Sequence, residues 1–506
     1  MGRVRYRDAH ALQTALWASG TGDDWLLLLE HPHVYTLGVR ADLRHVLVPP
    51  AEVGAELVRA DRGGDVTYHG PGQLVGYSIR TVPAGPGSVP NHVHAIEELV
   101  IDALADLGLP GAYRTEDFPG VWVEGRKICA VGVRVSKGRS MHGFALNVDP
   151  DMGMFGHIVP CGLADKPVTS MHAEGVAASM QDAVDAIVRR ARPDERQDVA
   201  WGRDEATLEQ PLPLDARKPE WVRVKADMGP EFRSLKQRMR SLELVTVCEE
   251  AGCPNIFECW ADGTATFMIN GERCTRACGF CLVDTRKPAP LDAGEPERVA
   301  QAVADMRLEH AVVTAVARDD LPDGGAAAFA ATIDAIHRRC PGTAVEVLVS
   351  DCKGDPDALG TIFAARPEVL NHNLETVARL QRAARPSASY ARSLAVLALA
   401  KQAGLVTKSN LILGMGETEG EVLGALADLR GVGVDIVTLG QYLRPTAGHL
   451  PVARWWTPAE FDRLHEVGMR MGFAHVEASP LTRSSYHAKQ AAGSLLQEAE
   501  GRVVDA

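Results

Sequence analysis

Six of the chain's ten cysteines fall between Cys248 and Cys281, in the stretch CEEAGCPNIFECWADGTATFMINGERCTRACGFC. They form two triplets, C-x4-C-x5-C (Cys248, Cys253, Cys259) and C-x3-C-x2-C (Cys274, Cys278, Cys281). Thiolates at such intervals converge on a metal centre, and soft sulfur ligands select iron–sulfur clusters or zinc. A structural zinc ion closes with four ligands, commonly from C-x2-4-C pairs, so two groups of three fit it poorly. A disulfide framework fits less well still. Three cysteines around a cubane leave one iron open to a further ligand. Whatever the fold, it has to bring each set of three sulfurs together.

At 506 residues the chain is too long for one core, and two or three domains are expected. The 46% hydrophobic content is that of a globular protein, and the net charge of −13 disfavours nucleic acid and anionic membranes as partners. No apolar run approaches membrane-spanning length; the longest early one, Trp25 to Leu29, is strand-sized. The N-terminus MGRVRYRDAH has no apolar signal core, and Tyr6 stands where a myristoylation signal needs Ser or Thr. The expectation is a cytoplasmic protein with no membrane and no nucleic acid partner. There cysteines stay reduced and serve as ligands or nucleophiles.

After the cysteine block, strand and helix patterns alternate. Strands are expected at 265–271, 310–317, 344–350, 369–375, 407–414, 435–442 and 473–479, with helical patterns such as 295–308 and 324–340 between them. This rhythm predicts an α/β partial (β/α) barrel, with chemistry at the C-terminal ends of the strands. The second cysteine triplet follows the first strand directly. Arg318, Asp319 and Asp320 follow the second strand, and Asn373 and Lys408 sit on later ones. These are candidates for a nucleotide or substrate site, against the alternative of ordinary loop solvation. Cys340 and Cys352 match no cluster spacing, and His31, His33 and His372 read as structural.

The first half has no βαβ rhythm and reads as α+β. WLLLLEHPHVYTLGVR (25–40) and LVGYSIR (74–80) read as strands, 91–108 as an amphipathic helix, and 121–135 as a hairpin around Glu124 and Gly125. RGGDVTYHGPGQLVGY (62–77) carries five glycines, which either let backbone approach a ligand closely or form a hairpin loop. It is neither a phosphate-binding loop nor a dinucleotide fingerprint. Cys129 reads as a small buried residue on a strand, whereas Cys161, between Pro160 and Gly162, lies in a loop where a working thiol is more often displayed. A thiolate near neutral pH needs a positive neighbour, and Lys127, among apolar strand residues, is the candidate. Periodicity leaves its partner open: Lys127 and Cys129 share a strand face.

Between the halves, residues 196–216 mix charge with proline and read as a linker. The following strip, 217–240, carries eight basic residues against three acidic ones. It is either a docking strip for an acidic carrier domain or a solvated helix face.

Both cysteine triplets together, with ARDDLPDGGA, HNLETV, TKSNLILGMGET, QYLRP and RSSYHA, resemble lipoyl synthase, a radical S-adenosylmethionine enzyme, over about residues 217 to 490. The resemblance implies two [4Fe-4S] clusters. One, on Cys274, Cys278 and Cys281, binds S-adenosylmethionine at its open iron and generates a radical. The other, on Cys248, Cys253 and Cys259 with Ser485 as fourth ligand, is consumed as the sulfur donor. Arg318, Asp319, Asn373 and Lys408 become candidate cofactor contacts. An iron–sulfur electron carrier is disfavoured, since such carriers ligate every iron with protein.

RGGDVTYHGPGQLVGY, EHPHVYTLG, GRKICAVGVRV, HGFALNV and IVPCG resemble lipoyl(octanoyl) transferase over about residues 5 to 195, within the biotin/lipoate ligase-like α+β fold. This implies that Cys161 carries the octanoyl group as a thioester, with Lys127 lowering its pKa and moving protons, while Cys129 has no catalytic role. It also implies an acyl pocket in three segments. The first is Arg62, Gly63, Gly64, Asp65, Val66, Thr67, Tyr68 and His69; the others are Ala130, Val131 and Gly132, and Gly143, Phe144 and Ala145. The alternative within this fold is an ATP-dependent lipoate or biotin ligase, which needs no cysteine nucleophile.

Joined, the resemblances imply a bifunctional lipoylation enzyme with an octanoyltransferase domain at 1–195, a linker at 196–216 and a lipoyl synthase domain at 217–506. The implied partners are octanoyl-acyl-carrier protein and the lipoyl domains of 2-oxoacid dehydrogenase E2 subunits and of the glycine cleavage H protein. An electron donor such as ferredoxin or flavodoxin is implied as well.

Overall fold

The structure is a computed structural model that describes residues 1–18, 23–160, 166–191 and 264–493, with 212–213, 217–223, 237, 244–246 and 255 in between. Cys161, Cys248, Cys253 and Cys259 lie outside the described residues, as do most of 196–216 and of the basic strip 217–240. The chain forms two compact units, Met1–Arg203 and Asp204–Ala506. Among the described residues no helix is long and apolar enough to cross a membrane.

Unit 1 is built on a six-stranded sheet of order β1-β5-β9-β8-β7-β6, antiparallel throughout. Its strands are β1 (Trp25–Leu29), β5 (Gln73–Ile79), β6 (Tyr113–Arg114), β7 (Gly120–Val123), β8 (Arg126–Ser136) and β9 (Arg139–Asn147). A second sheet joins β2 (Val34–Leu37) to β3 (Glu56–Arg59) and β4 (Val66–His69). α1 (Tyr6–Ala18) precedes the sheets, while α2 (Ser88–Asp106) and α3 (Met180–Ala191) pack together against the large one. Ile96, Val100 and Leu104 of α2 and Val184 and Ile187 of α3 interdigitate there with Val121, Ile128 and Leu146. The β7–β8 hairpin turns at Glu124 (φ 47°) and Gly125 (φ 82°), two successive left-handed residues whose twist suits a two-residue connection.

The glycine-rich stretch is not a hairpin. β4 and β5 flank it, but each pairs in a different sheet, so Gly70-Pro71-Gly72 carries the chain from one sheet to the other. Gly72 sits at φ +85°, and a Cβ there would lie 2.1 Å from the Asp149 carbonyl oxygen. Only glycine permits that crossing.

Unit 2 is an eight-stranded sheet in sequential order. β10 (Val245–Thr246) pairs antiparallel to β11 (Thr264–Ile269). From β11 onward every pairing is parallel, through β12 (His310–Ala315), β13 (Ala344–Leu348), β14 (Val369–Asn371), β15 (Val406–Leu413), β16 (Ile436–Gln441) and β17 (His475–Ala478). The crossover helices α4 (Glu295–Met306), α5 (Ala326–Arg339), α6 (Pro356–Ala364), α7 (Tyr390–Gln402), α8 (Glu419–Gly431) and α9 (Pro458–Arg470) cover it. The two end strands do not pair with each other, so the barrel is partial. All seven predicted strands are present, most of them a residue or more shorter than their sequence windows.

The barrel interior is not purely apolar. Glu346 of β13 and Lys408 of β15 are both fully buried, with Nζ 3.0 and 3.2 Å from the two carboxylate oxygens. Asn371 donates to the same carboxylate at 3.2 Å, and His310 lies 3.5 Å away. Burial opposes the charge on Glu346, but Lys408 and His310 outweigh it and hold its pKa down at about 2. Removing one member strands the other as an uncompensated charge, whereas removing both leaves neither buried charge, only the polar Asn371 and His310 beside the site. Lys408→Met is therefore expected to destabilise unit 2 by about 3–5 kcal/mol, and Lys408→Met with Glu346→Leu to recover most of that loss, as read by urea unfolding. Because the Glu346 pKa is depressed from 4.5, its stabilising contribution is full above about pH 4.5 and is lost as the pH falls toward 2. That acid dependence is expected to weaken in the double variant.

Candidate active sites

In unit 1 a pocket opens between the two sheets, lined by Thr67, Gln73, Lys127, Ala130, Ala145, Asn147, Phe155, Pro160 and Val168. Each of the three segments expected to line an acyl pocket contributes: Thr67, Ala130 and Ala145. Register explains the last two, since Ala130 of β8 faces Ala145 of β9 and Gly132 faces Gly143. Gly63 joins them by donating its N–H to the Val133 carbonyl at 3.1 Å. The glycines keep this region narrow. A Cβ on Gly143 would lie 2.2 Å from the Gly76 carbonyl oxygen, and one on Gly76 would lie 2.2 Å from the Phe144 ring.

Lys127 is only 7% exposed. Its ammonium donates to the Pro119 carbonyl at 3.1 Å and stands 4.7 Å over the Trp122 ring. Its backbone pairs with the segment just after Cys161, through Lys127 N–H to the Pro167 carbonyl (2.8 Å) and Thr169 N–H to the Lys127 carbonyl (2.9 Å). On the other side of Cys161, Pro160 lines the same pocket.

Cys129 goes elsewhere. The β7–β8 register shifts between Val121 and Trp122, so that Val121 faces Cys129 while Trp122 faces Lys127, leaving Ile128 as an extra residue. Such a bulge breaks the alternation that periodicity assumes. Cys129 packs, fully buried, in the helix-side core, and burial pushes its thiol pKa up. Lys127 lines the pocket instead.

A polar ledge runs along the pocket, joining His69, which sequence reading singles out, to Gln73 and Asn147, which it does not. His69 Nδ1 meets Gln73 Oε1 at 2.7 Å, Gln73 Nε2 donates to Asn147 Oδ1 at 2.9 Å, and Asn147 Nδ2 donates to the Thr169 carbonyl at 2.9 Å. Burial lowers the His69 pKa, so this imidazole is neutral at pH 7. Arg62, expected in the acyl pocket, is buried with its guanidinium on the Thr36 carbonyl and hydroxyl. Asp65 accepts from His45 at 2.5 Å. His31 bonds the Val4 carbonyl and the Tyr77 hydroxyl, consistent with a structural role.

In unit 2 the loop after β11 turns at Asn270 (φ 69°) and Gly271 (φ 90°) and carries Cys274, Cys278 and Cys281 across the C-terminal mouth of the barrel. Segments that follow neighbouring strands hold it. Thr275 N–H donates to the Ala317 carbonyl (3.0 Å), Gly279 N–H to the Ala384 carbonyl (2.8 Å), and Leu450 N–H to the Gly279 carbonyl (2.8 Å). His449 Nε2 lies 2.9 Å from the Cys281 carbonyl oxygen. All three cysteines are free and partly exposed. Burial pushes the Cys278 thiol up to about 12; Arg385 counters this and the neighbouring thiols add to it. Burial raises Cys281 too, with a smaller contribution from Cys274.

Among the described residues, three metal-type ligand atoms come within 4.8 Å of one another only at His10, Asp61 and His142. There both imidazoles bond one oxygen of Asp61, at 3.2 and 2.7 Å, and Arg134 takes the other, a closed hydrogen-bonded set. Among the described residues the sulfurs of Cys274, Cys278 and Cys281 form no such set. Beside the triplet, buried polar atoms have no partner among the described residues: Asn373 Oδ1, Glu375 Oε2 and both side-chain polar atoms of Gln381. Arg385 spans the same spot, bonding the Asn373 and Leu374 carbonyls and Ser393. Orphaned acceptors at the mouth beside three thiols fit a polar ligand held next to a cluster.

The other named residues divide. Arg318 is buried and bonds Asp320 and the Asn270 carbonyl; Asp319 is engaged by Arg276; Lys408 is spent on Glu346 inside the barrel. Of the four candidate cofactor contacts, Asn373 alone presents an unpartnered side-chain atom at the mouth. Ser485 lies in the turn that follows β17, at the same end of the barrel. Asn255 donates its side-chain amide to the Leu481 carbonyl at 2.7 Å. Glu375, Gln381, Arg385 and Arg276 were missed by sequence reading. Glu375 carried the one available signal, a charged residue within HNLETV just beyond a strand.

Three family models match the chain: the lipoyl protein ligase A/B catalytic domain over residues 5–192, the N-terminal domain of lipoyl synthase over 187–253, and the radical SAM superfamily over 268–429. Lipoyl synthase of Rubrobacter xylanophilus is 58% identical over 275 residues, which is 54% of this chain and 86% of the relative. The Mycobacterium avium lipoyl synthase is 58% identical over 272 residues, 54% of this chain and 89% of its own. That of Tropheryma whipplei is 56% identical over 277 residues, 55% and 79%. Among solved structures, the putative lipoate protein ligase Ta0514 of T. acidophilum covers 39% of this chain and 88% of its own at 20% identity, with a TM-score of 0.33. In its second unit the chain belongs to the lipoyl synthase family of radical SAM enzymes, and in its first it carries a lipoyl protein ligase A/B catalytic domain.

Proposed function

We propose that this fused lipoylation enzyme performs two consecutive steps on one substrate protein. Residues 1–195 move an octanoyl group from acyl-carrier protein to a lysine of a lipoyl domain. Residues 217–506, joined through 196–216, then insert sulfur at carbons 6 and 8 of that group. The lipoyl domains of 2-oxoacid dehydrogenase E2 subunits and the glycine cleavage H protein are the acceptors. A cytoplasmic setting with a reductant of the ferredoxin or flavodoxin type suits free thiols and one-electron chemistry alike.

One observation carries the first step: Lys127 converges with Thr67, Ala130 and Ala145 on a pocket whose lining includes Pro160, the residue before Cys161. Lys127, as the ammonium, holds Cys161 as its thiolate, which attacks the carbonyl carbon of the octanoyl thioester. The new carbon–sulfur bond forms, the bond to the carrier sulfur breaks, and the carrier thiolate leaves with a proton from Lys127. The lysine amine of the lipoyl domain then attacks the Cys161 thioester, the carbon–sulfur bond breaks, and the proton shed by the amine passes to Lys127, restoring the ammonium beside the Cys161 thiolate. Thioester exchange is nearly isoenergetic, so no nucleotide is consumed. Ala130, Ala145 and the narrow glycine-lined strand pair leave room for an unbranched chain, while Gln73 and Asn147 hold the polar end.

A radical SAM domain uses S-adenosylmethionine and a [4Fe-4S] cluster, and the residues at the barrel mouth fit both. Cys274, Cys278 and Cys281 would hold the cluster, and Asn373 and Glu375 would face the nucleotide. When bound, cluster and S-adenosylmethionine together supply one-electron chemistry that breaks unactivated carbon–hydrogen bonds. Cys248, Cys253, Cys259 and Ser485 would hold the second cluster, which is the sulfur-donating substrate. A serine oxygen binds iron less firmly than thiolate, which suits a group that is dismantled in use.

The direct test supplies the anaerobically reconstituted chain with octanoyl-acyl-carrier protein, apo lipoyl domain, S-adenosylmethionine and reductant, and weighs the acceptor lysine by mass spectrometry. Octanoyl is expected to appear first and its two-sulfur derivative later, with methionine and 5′-deoxyadenosine as co-products. Cys161→Ser is expected to abolish the first mass change and to leave sulfur insertion into a pre-octanoylated domain intact, while Cys129→Ala leaves both. Transfer that survives Cys161→Ser and requires ATP would instead make unit 1 a ligase. Lys127→Ala is expected to slow transfer by about 10²–10⁴-fold, read from single-turnover rates of domain octanoylation.

A further inference from the structure

Arg276 sits inside the C-x3-C-x2-C motif, two residues from Cys274 and two from Cys278, yet only 6% of its side chain is exposed. Its Nε and one terminal nitrogen donate to the two oxygens of Asp319 at 2.7 and 2.8 Å. The same terminal nitrogen donates to Asp351 at 2.6 Å. Asp351 has no solvent exposure and also accepts from Arg392 at 3.2 Å. The partners come from three elements: Asp319 from the loop after β12, Asp351 from the loop after β13, and Arg392 from α7. Thr275 adds a second stitch, donating its hydroxyl to the Ala317 carbonyl at 2.9 Å and accepting the Asp319 N–H at 2.9 Å.

The consequence is geometric. Two guanidinium groups and two carboxylates balance in charge, and a bidentate fork fixes the plane as well as the position of the group it binds. The two residues following Cys274 are thus anchored to adjacent strand ends by contacts that include no sulfur and no metal. Arg276 also reaches the ligand set directly, since its backbone N–H donates to Cys274 Sγ at 3.4 Å. Hydrogen bonds to ligand sulfur tune both the retention and the potential of iron–sulfur clusters.

We propose that Arg276 is a positioning residue for the iron–sulfur cluster: clamped by Asp319 and Asp351, it holds Cys274 and Cys278 at ligating separation before iron arrives and keeps the N–H aimed at the Cys274 sulfur afterwards. This rests on the reading that Cys274, Cys278 and Cys281 bind a cluster. Asp319 is in this account a clamp and not a nucleotide contact.

The test uses the full chain with Cys248, Cys253 and Cys259 changed to alanine, so that the downstream triplet alone loads on anaerobic reconstitution. Iron per chain, the rate of iron loss to a chelator, and the electron paramagnetic resonance spectrum of the dithionite-reduced cluster are compared in that background, in Arg276→Lys and in Asp319→Asn. Arg276→Lys, which keeps the charge and loses the fork, is expected to release iron about tenfold faster or more and to shift the spectrum. Asp319→Asn, at a position whose side chain is 25% exposed and which leaves the Asp351 contact in place, is expected to fall between, with circular dichroism showing the iron-free chain folded. If Arg276→Lys does not fold, Asp319→Asn decides alone. Equal release rates and identical spectra in the variants and the background would overturn the proposal. A background chain that takes up no iron would show instead that the cluster assignment itself is wrong.

Discussion

The parallel run of β11 to β17 is the constraint on which the second unit depends. Parallel strands joined by helices deliver every strand-to-helix loop to the same end of the sheet. Three thiols on one loop, Asn373 and Glu375 beyond β14, and Ser485 beyond β17 therefore share one barrel end without being near in sequence. The buried Glu346–Lys408 pair inside is the counterpart of that arrangement. It spans β13 and β15 and resists any slip in their register, because a one-residue shift would bury one charge without the other.

The octanoyl chain proposed as the substrate of unit 1 is apolar, slender and flexible, and the reacting centre at its end is polar. Small residues on facing strands (Ala130 opposite Ala145) leave room in the pocket, and Gln73 and Asn147 line its polar side. The bulge between β7 and β8 then separates two roles within three residues: Lys127 faces the pocket and Cys129 fills the core.

Much of this was legible in the sequence, and the parts that were not have identifiable causes. The barrel strands could be read because a strand buried on both faces is a largely apolar run between turn residues, as in HAVVTA. The cysteine triplets could be read because ligand spacing is a local property. The bulge was hidden because period-two reasoning assumes an unbroken ladder, and it put Lys127 and Cys129 on one face. The glycine-rich stretch looked like a hairpin because strand–turn–strand carries no mark of which sheet each strand joins. Arg276 and Gln73 were invisible for a related reason. An arginine beside two cysteines looks like loop solvation until Asp319 and Asp351, 43 and 75 residues away, are brought to it by the fold.

The proposed function requires two clusters with different fates in one chain, one retained and one dismantled. Counting iron and acid-labile sulfide in the purified, oxygen-protected chain before and after a single turnover tests this most directly. About eight irons per chain at the start, with roughly half of the iron and sulfide lost after turnover, is the predicted result, four irons being the content of each [4Fe-4S] cluster. About four irons at the start, or a sulfide content that turnover leaves intact, would contradict it.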